Sequence, residues 1–270
     1  MTDPTGRTRL LGVVGDPVAQ VRAPELWGTV FRELGVDAVC VPFHVRPTDL
    51  EAFLDGARRW RNLDGLLITV PHKAAAMRFA TELSDRARQV GAVNCLKVGE
   101  SGGWVADMLD GVGFVTAFEG GIGPVGGRRA LVVGCGGAGS AIALALADAG
   151  ASAVDVSDVD GARANELADR VSATGVLSRP VAALGRGYDL IVNASPAGMR
   201  STDPLPVDLD GVGPDAAVAD VITEPAVTPL IREATQRGCA VQIGSQMTDA
   251  QVGGMADFFG YAAAFAEPLR

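Results

Sequence analysis

Arg129–Gly150, RALVVGCGGAGSAIALALADAG, is the stretch whose reading decides the fold. Ala130–Val133 is a short apolar run, long enough for a fully buried parallel strand. Gly134, Gly136 and Gly139 follow as G-x-G-x-x-G, with Gly137 and Ala138 inside the turn. Ser140–Ala149 is an Ala/Leu-rich run of good helix formers, closed by Gly150. The first glycine allows a tight turn, the second lets the backbone approach a pyrophosphate, and the third lets helix and strand pack closely. The helix N-terminus then offers free N–H groups and the positive end of its dipole to the phosphates. A second apolar strand, Ala153–Val156, ends near Asp158. That acid lies about 20 residues past the glycines, where the dinucleotide fingerprint wants a carboxylate for the ribose 2′-hydroxyl.

Composition narrows the class. The chain has 270 residues, 48% hydrophobic and 20% charged, which is globular rather than disordered and enough for one large or two small domains. Its net charge of −9, with no basic run beyond Arg58-Arg59-Trp60-Arg61, argues against a nucleic-acid partner. The apolar runs are short or broken by Gly, Asp and Pro, so no segment spans a bilayer and no membrane partner is expected. The first residues, MTDPTGRTRLLGVVGDP, lack the apolar core of a signal peptide, and a cytoplasmic location is the expectation. Cys40, Cys95, Cys135 and Cys239 are scattered in apolar contexts and read as reduced core residues. With only His44 and His72 as histidines, no metal site is expected.

Working outward, strand and helix alternate through the first hundred residues. Leu10–Val14, Ala38–Phe43 and Gly65–Val70 read as strands; Pro24–Leu34, Leu50–Arg61 and Lys73–Leu83 read as helices. Ala92–Val98 and Gly103–Ala106 form a strand pair, and Val112–Glu119 is a helix crossing into a second domain. Beyond the glycine loop, Gly161–Val171 and Pro229–Arg237 are helical, and Leu190–Asn193, Ala217–Asp220 and Ala240–Ile243 are buried strands. Met247–Ala266 reads as a last helix returning to the first domain. The predicted architecture is α/β with two domains: an open α/β substrate domain, 1–107 completed by 247–270, and a Rossmann dinucleotide-binding domain, 108–246. A cleft at the carboxyl ends of the strands is the expected site.

Lys73 follows Thr69-Val70-Pro71-His72 directly after a buried strand, so its amine points toward that cleft, where a desolvated lysine beside a carboxylate acts as acid or base. Asp110 lies at the crossover, in Asp107-Met108-Leu109-Asp110-Gly111-Val112-Gly113.

In sequence order the chain carries Thr69-Val70-Pro71-His72-Lys73, Gly91-Ala92-Val93-Asn94 and the Asp107–Gly113 run. Gly134-Cys135-Gly136-Gly137-Ala138, Asn193-Ala194-Ser195-Pro196-Ala197-Gly198-Met199, Asp220 with Thr228-Pro229-Leu230, and the Gln251 helix continue the order. Through these motifs the chain resembles the shikimate dehydrogenase family along essentially its whole length. The resemblance implies Lys73 as acid/base and Asp110 as its catalytic partner, beside a hydroxyl that is oxidised as hydride passes to a nicotinamide. It further implies Thr69, Asn94 and Gln251 as substrate contacts, and Asn193, Ser195, Val221 and Gly244 around the cofactor.

Several positions depart from that family's pattern. A Ser-Lys-Ser-Pro stretch that holds the substrate carboxylate is here Val21-Arg22-Ala23-Pro24; an Asn is Leu67, an Asn-Thr pair is Met108-Leu109, and a substrate-contacting Tyr is Thr223. Arg22 is the candidate to take over a carboxylate, because guanidinium geometry matches it. The Asn-Arg-Thr that holds the 2′-phosphate of NADP is Asp158-Val159-Asp160; a carboxylate accepts from a free 2′-hydroxyl and repels a 2′-phosphate. NAD is therefore expected over NADP, as in the NAD-using branch that includes aminoshikimate and quinate-type enzymes. The resulting expectation is an NAD-dependent oxidoreductase, monomer or homodimer, for a small shikimate- or quinate-like hydroxy compound. The alternatives are a non-catalytic NAD-binding sensor or scaffold, and a dehydrogenase for a less polar alicyclic substrate.

Overall fold

The computed structural model describes residues 4–200 and 202–261, which divide into two compact units, one of residues up to 109 with those from 252 onward, the other of residues 110–251.

The first unit is built in the order β1 (Arg9–Gly15), α1 (Ala23–Glu33), β2 (Ala38–His44), α2 (Leu50–Ala57), β3 (Leu63–Ile68), α3 (Lys73–Ala76), β4 (Ala80–Leu83), α4 (Asp85–Val90), β5 (Cys95–Val98) and β6 (Trp104–Asp107). Its six-stranded sheet has the order β2-β1-β3-β5-β6-β4. The helix-linked strands β1, β2 and β3 run parallel, β5 runs antiparallel to β3 and forms a tight antiparallel hairpin with β6, and β6 pairs parallel with the edge strand β4. Leu11, Val13, Trp27, Phe31 and Leu67 form the core on one face. The segment Lys73–Leu83, read from sequence as one helix, stops at Ala76. Ala80–Leu83 instead pairs with Trp104–Ala106 at the sheet edge, so a ladder partner some 20 residues away overrides local helix propensity.

The second unit runs α5 (Asp110–Gly121), β7 (Arg129–Val133), α6 (Gly137–Asp148), β8 (Ala153–Ser157), α7 (Gly161–Ser172), β9 (Leu190–Asn193), β10 (Ala217–Asp220), α8 (Pro229–Gln236), β11 (Ala240–Gln242) and α9 (Gly244–Ala250). Its five strands, in the order β11-β10-β9-β7-β8, are all parallel. Counted from β7, that is the doubly wound order 2-1-3-4-5, whose switch point lies between β7 and β9. Leu131, Ile191, Val218 and Leu230 lie in its apolar core.

The predicted terminal helix from Met247 is two helices, α9 and then α10 (Val252–Phe259), with Gln251 as the C-cap of α9. Gly253-Gly254 follows the break, where helix propensity is lowest. Only α10 belongs to the first unit, where Phe259 and Tyr261 join Trp27 and Phe31 in an aromatic cluster and the Tyr261 hydroxyl donates to Asp64 at 2.6 Å. The chain therefore passes between units at Leu109/Asp110 and Gln251/Val252, later than 107 and 247. Residues of the predicted helix beyond Tyr261 lie outside the described residues. Among the described residues no helix is long and apolar enough to cross a membrane, and no group of three His, Cys, Asp or Glu is placed to hold a metal ion.

Candidate active site

In the first unit the candidate residues gather at the carboxyl ends of β1 and β3. Thr69 follows β3, and its N–H donates to Val14 O at 3.0 Å. Gly15 closes β1 against it: a Cβ there would come within 2.6 Å of Thr69 Cγ2, so only glycine leaves the threonine in place. Lys73 opens α3, half-buried, on a turn anchored by the buried His72, whose Nε2 lies 2.7 Å from Val45 O. The Lys73 carbonyl accepts the Val93 N–H at 3.0 Å, which brings the Gly91–Asn94 loop alongside. Asn94, only 3% exposed, accepts the Leu109 N–H on its side-chain oxygen at 2.9 Å. Thr69, Lys73 and Asn94 thus share one edge of this unit.

Asp107 is held below the usual carboxylate range. Its burial acts the other way, and is outweighed by Arg86, the Ser84 hydroxyl and the Met108 N–H. The sequence motif contained this aspartate without revealing its role; Arg86, 21 positions earlier, is visible as its partner only in three dimensions.

Arg22 is the exposed N-cap of α1, and its side chain makes no capping bond. Val21 and Ala23 pack with Leu67 and Leu109 against one apolar cluster, so these departures from the family pattern occur together in the fold.

In the second unit the glycine loop sits at the switch point. Gly134 has φ +99°, and a Cβ on it would meet Ser195 N at 2.7 Å. A Cβ on Gly139 would fall 1.8 Å from Gly134 O, whereas one on Gly136 would meet nothing within 4 Å. The turn is thus closed on its inner side and open at Gly136. Gly136 is also the N-cap of the 12-residue α6, with no side chain covering the N–H groups that Gly137, Ala138 and Gly139 begin. That arrangement fits a pyrophosphate.

Asn193, fully buried at the end of β9, donates from Nδ2 to Ala197 O at 3.0 Å and Asp220 Oδ1 at 3.1 Å, and accepts from Ser195 Oγ at 2.7 Å. Both residues therefore shape the loop that backs the glycine turn. Burial lifts the Asp220 carboxyl above its ordinary range, although Ile222, Thr228 and Asn193 all donate to it. Val221, with its N–H on Asn193 O, and Thr223 are half-buried after β10. Gly244 starts α9 so close to that segment that a Cβ would lie 2.4 Å from Ile222 O. Asp110 and Gln251, both buried, open α5 and end α9, and Gln251 Nε2 donates to Asp110 Oδ1 at 3.3 Å.

Asp158 is engaged within its own loop. It accepts Cys135 N–H at 2.6 Å and Asp160 N–H at 2.8 Å, and Asp160 caps α7. Burial, with Asp158 beside it, pushes the Cys135 thiol up to about 12, while Arg170 and Arg163 pull in the other direction. Arg163 lies 3.4 Å from Asp160, and Arg170 donates to Ser140 Oγ at 3.2 Å.

Residues 13–96 match the family model of the shikimate dehydrogenase substrate binding domain. A shikimate dehydrogenase (NADP(+)) of Rubrobacter xylanophilus is 38% identical over 249 residues, covering 90% of this chain and 87% of the relative. Among solved structures, a shikimate dehydrogenase in complex with NADP+ is 28% identical with a TM-score of 0.86, covering 94% of this chain and 91% of the other. Quinate dehydrogenase from Corynebacterium glutamicum in complex with NAD is 30% identical with a TM-score of 0.82, covering 93% of each chain. These relationships correct the cofactor expectation. Relatives 34–38% identical to this chain bear NADP(+) in their names, against the preference for NAD read from Asp158. On the loop itself, Asp158 already accepts two backbone N–H groups, and the Arg163 guanidinium stands 3.4 Å from Asp160, so the acidic pair is not without a neighbouring cation.

Proposed function

The chain belongs to the shikimate dehydrogenase family, and from that premise we propose that it is an NADP-dependent oxidoreductase acting on a ring hydroxyl of a shikimate- or quinate-like compound. The observation that carries the reading is the gathering of Thr69, Lys73 and Asn94 at one strand-end edge, together with a glycine turn at the switch point of a parallel sheet. The nicotinamide supplies hydride acceptance and donation. Lys73 takes or returns the hydroxyl proton, and Asp110 is the second catalytic residue. Thr69 and Asn94 hold neighbouring hydroxyls, and Arg22 takes a carboxylate as a bidentate fork. Thr223 contributes a hydroxyl on the substrate side, while Val221 and Gly244 border the nicotinamide. Gly134 to Gly139 cradle the pyrophosphate, and Arg163 takes the 2′-phosphate.

Arg163→Ala is expected to raise the KM for NADP about tenfold, the loss of one charge-assisted contact, with the KM of the hydroxy substrate unchanged. Equal NADP affinity in variant and parent would remove Arg163 from the site.

The joint packing of Val21, Ala23, Leu67 and Leu109 favours a second reading of the substrate, an alicyclic alcohol with less polar surface. A panel of shikimate, quinate, aminoshikimate and their ring analogues lacking the carboxylate, each with NADP, separates the two. Turnover confined to the carboxylates supports the first reading and Arg22. Turnover of the analogues supports the second, and NADP binding with no turnover on the whole panel points to a sensor.

A further inference from the structure

Asp220 ends β10 as a carboxylate only 2% exposed. Its oxygens accept from Asn193 Nδ2 at 3.1 Å, the Ile222 N–H at 3.0 Å and the Thr228 hydroxyl at 2.7 Å, all neutral donors. A buried carboxylate is costly unless it is hydrogen-bonded, and here each bond that offsets the cost reaches a different segment. Asn193 belongs to the loop after β9. Its Oδ1 accepts the Ser195 N–H at 3.1 Å, and Ser195 Oγ in turn accepts the Ala197 N–H at 3.2 Å. That loop is pressed on the glycine turn, since a Cβ at Gly134 would fall 2.8 Å from Ala194 C. Ile222 belongs to the segment after β10, against which α9 begins: a Cβ at Gly244 would lie 2.6 Å from Val221 O. Thr228 is the N-cap of α8, and its hydroxyl oxygen accepts the Ile231 N–H at 3.3 Å while donating to Asp220. Asn193 and Thr228 are both fully buried, so bulk water does not stand in for either partner if its bond is lost.

The sheet order says which part of a dinucleotide these segments would meet. β7, with the glycine turn at its end, lies between β8 on one side and β9 and β10 on the other. A dinucleotide bound across the switch point has its pyrophosphate at the glycine turn and its two halves on opposite sides of it. The half carrying the 2′-phosphate lies on the β8 side, with Arg163, so the nicotinamide half lies over the ends of β9 and β10. We propose that Asp220 is a positioning residue for the nicotinamide half of the cofactor: one buried carboxylate fixes the loop after β9, the segment after β10 and the start of α8 in a single arrangement. The proposal rests on the reading of the second unit as the NADP-binding unit. Asp220 itself touches no ligand under it and acts through Asn193, Ile222 and Thr228. The loop on the β8 side, which ends at the cap of α7, receives no bond from this carboxylate, so the two halves of the cofactor respond differently when it is altered.

The experiment compares the full-length protein with Asp220→Asn, Thr228→Val and Thr228→Ser. It reads, by calorimetric titration, the affinity for NADP and for adenosine 2′,5′-bisphosphate, which carries the 2′-phosphate half and no nicotinamide. In Asp220→Asn an amide replaces one carboxylate oxygen, so in either orientation its NH2 group faces a group that donated to the carboxylate. NADP is expected to bind about tenfold more weakly, the loss of one buried hydrogen bond, with the bisphosphate within about twofold of the parent. Thr228→Val keeps the shape of the side chain, lacks the hydroxyl, and should show the same split. Thr228→Ser restores the hydroxyl and should bring NADP back to within about twofold of the parent. Equal losses of both ligands in Asp220→Asn, NADP affinity unchanged there, or Thr228→Ser binding NADP as weakly as Thr228→Val each overturn the proposal. If Asp220→Asn does not fold, the comparison of Thr228→Val with Thr228→Ser decides. A parent protein that binds neither NADP nor the bisphosphate refutes the proposed function, and the role of Asp220 falls with it; a parent that binds both, with variants that show no split, refutes the role of Asp220 alone.

Discussion

Lys73→Ala is expected to lower kcat by about 10²- to 10⁴-fold, the range for loss of a positioned general acid–base. NADP affinity should stay within about twofold of the parent, because the residues assigned to the cofactor are in the other compact unit, 110–251. The fold should also survive. Two contacts at this turn do not depend on the lysine side chain: the Lys73 carbonyl accepts the Val93 N–H, and His72 anchors the turn against Val45 O. Alanine keeps both, and α3 continues with Ala74, Ala75 and Ala76, all good helix formers. Stopped-flow or steady-state assay with NADP, alongside a thermal melt, checks the separation. A variant that retains turnover within threefold of the parent would remove Lys73 from the chemistry. A variant that loses cofactor binding along with activity would show damage to the fold.

The second large effect belongs to Gly139→Ala. The added Cβ would sit 1.8 Å from Gly134 O and 2.9 Å from Gly134 C, both backbone atoms that no rotamer change can move aside. Either α6 shifts away from β7 or the turn between them opens. Overpacking of this kind costs about 1–3 kcal/mol and more where backbone must move. For a unit of this size, 3 kcal/mol corresponds to a fall in Tm of roughly 6–12 °C. The same displacement carries the first-turn N–H groups of α6 out of line, so NADP binding should weaken by about 100-fold or more. Gly136→Ala is the informative companion. Its Cβ meets nothing within 4 Å, so the protein should melt as the parent does, while the methyl group obstructs the approach of a pyrophosphate. Cofactor titration by fluorescence together with thermal melts distinguishes the two glycines. Equal Tm for Gly139→Ala and the parent would contradict the packing described here.

Much of the fold was legible in short windows. The run from Arg129 to Gly150 announces strand, turn and helix because each part depends on neighbours within a few residues: apolar burial, glycine conformations and helix propensity. The same is true of the Thr69–Lys73 turn, where Pro71 stops a strand and a lysine opens the next helix. The misread segments share a different cause. Ala80–Leu83 carries no local signal strong enough to announce an edge strand; it is one because β6 offers it a ladder. Asp158 looks like a ribose acceptor in sequence, and only the fold shows that the Cys135 N–H, 23 residues before it, donates to its carboxylate. A motif names the type of group present and cannot say which distant groups surround it.

By itself, then, the sequence determined two α/β units and the dinucleotide turn from periodicity and residue type, and singled out Lys73, Asn94, Asp110 and Gln251 through its resemblance to the family's ordered motifs. Tertiary structure alone decided that the terminal helix divides at Gln251, that Gln251 donates to Asp110 across 141 positions, and that Gly111 and Gly113 admit two helices at once. Those outcomes depend on close contacts between atoms far apart along the chain. Close packing sets such distances, and no short window of sequence contains both partners.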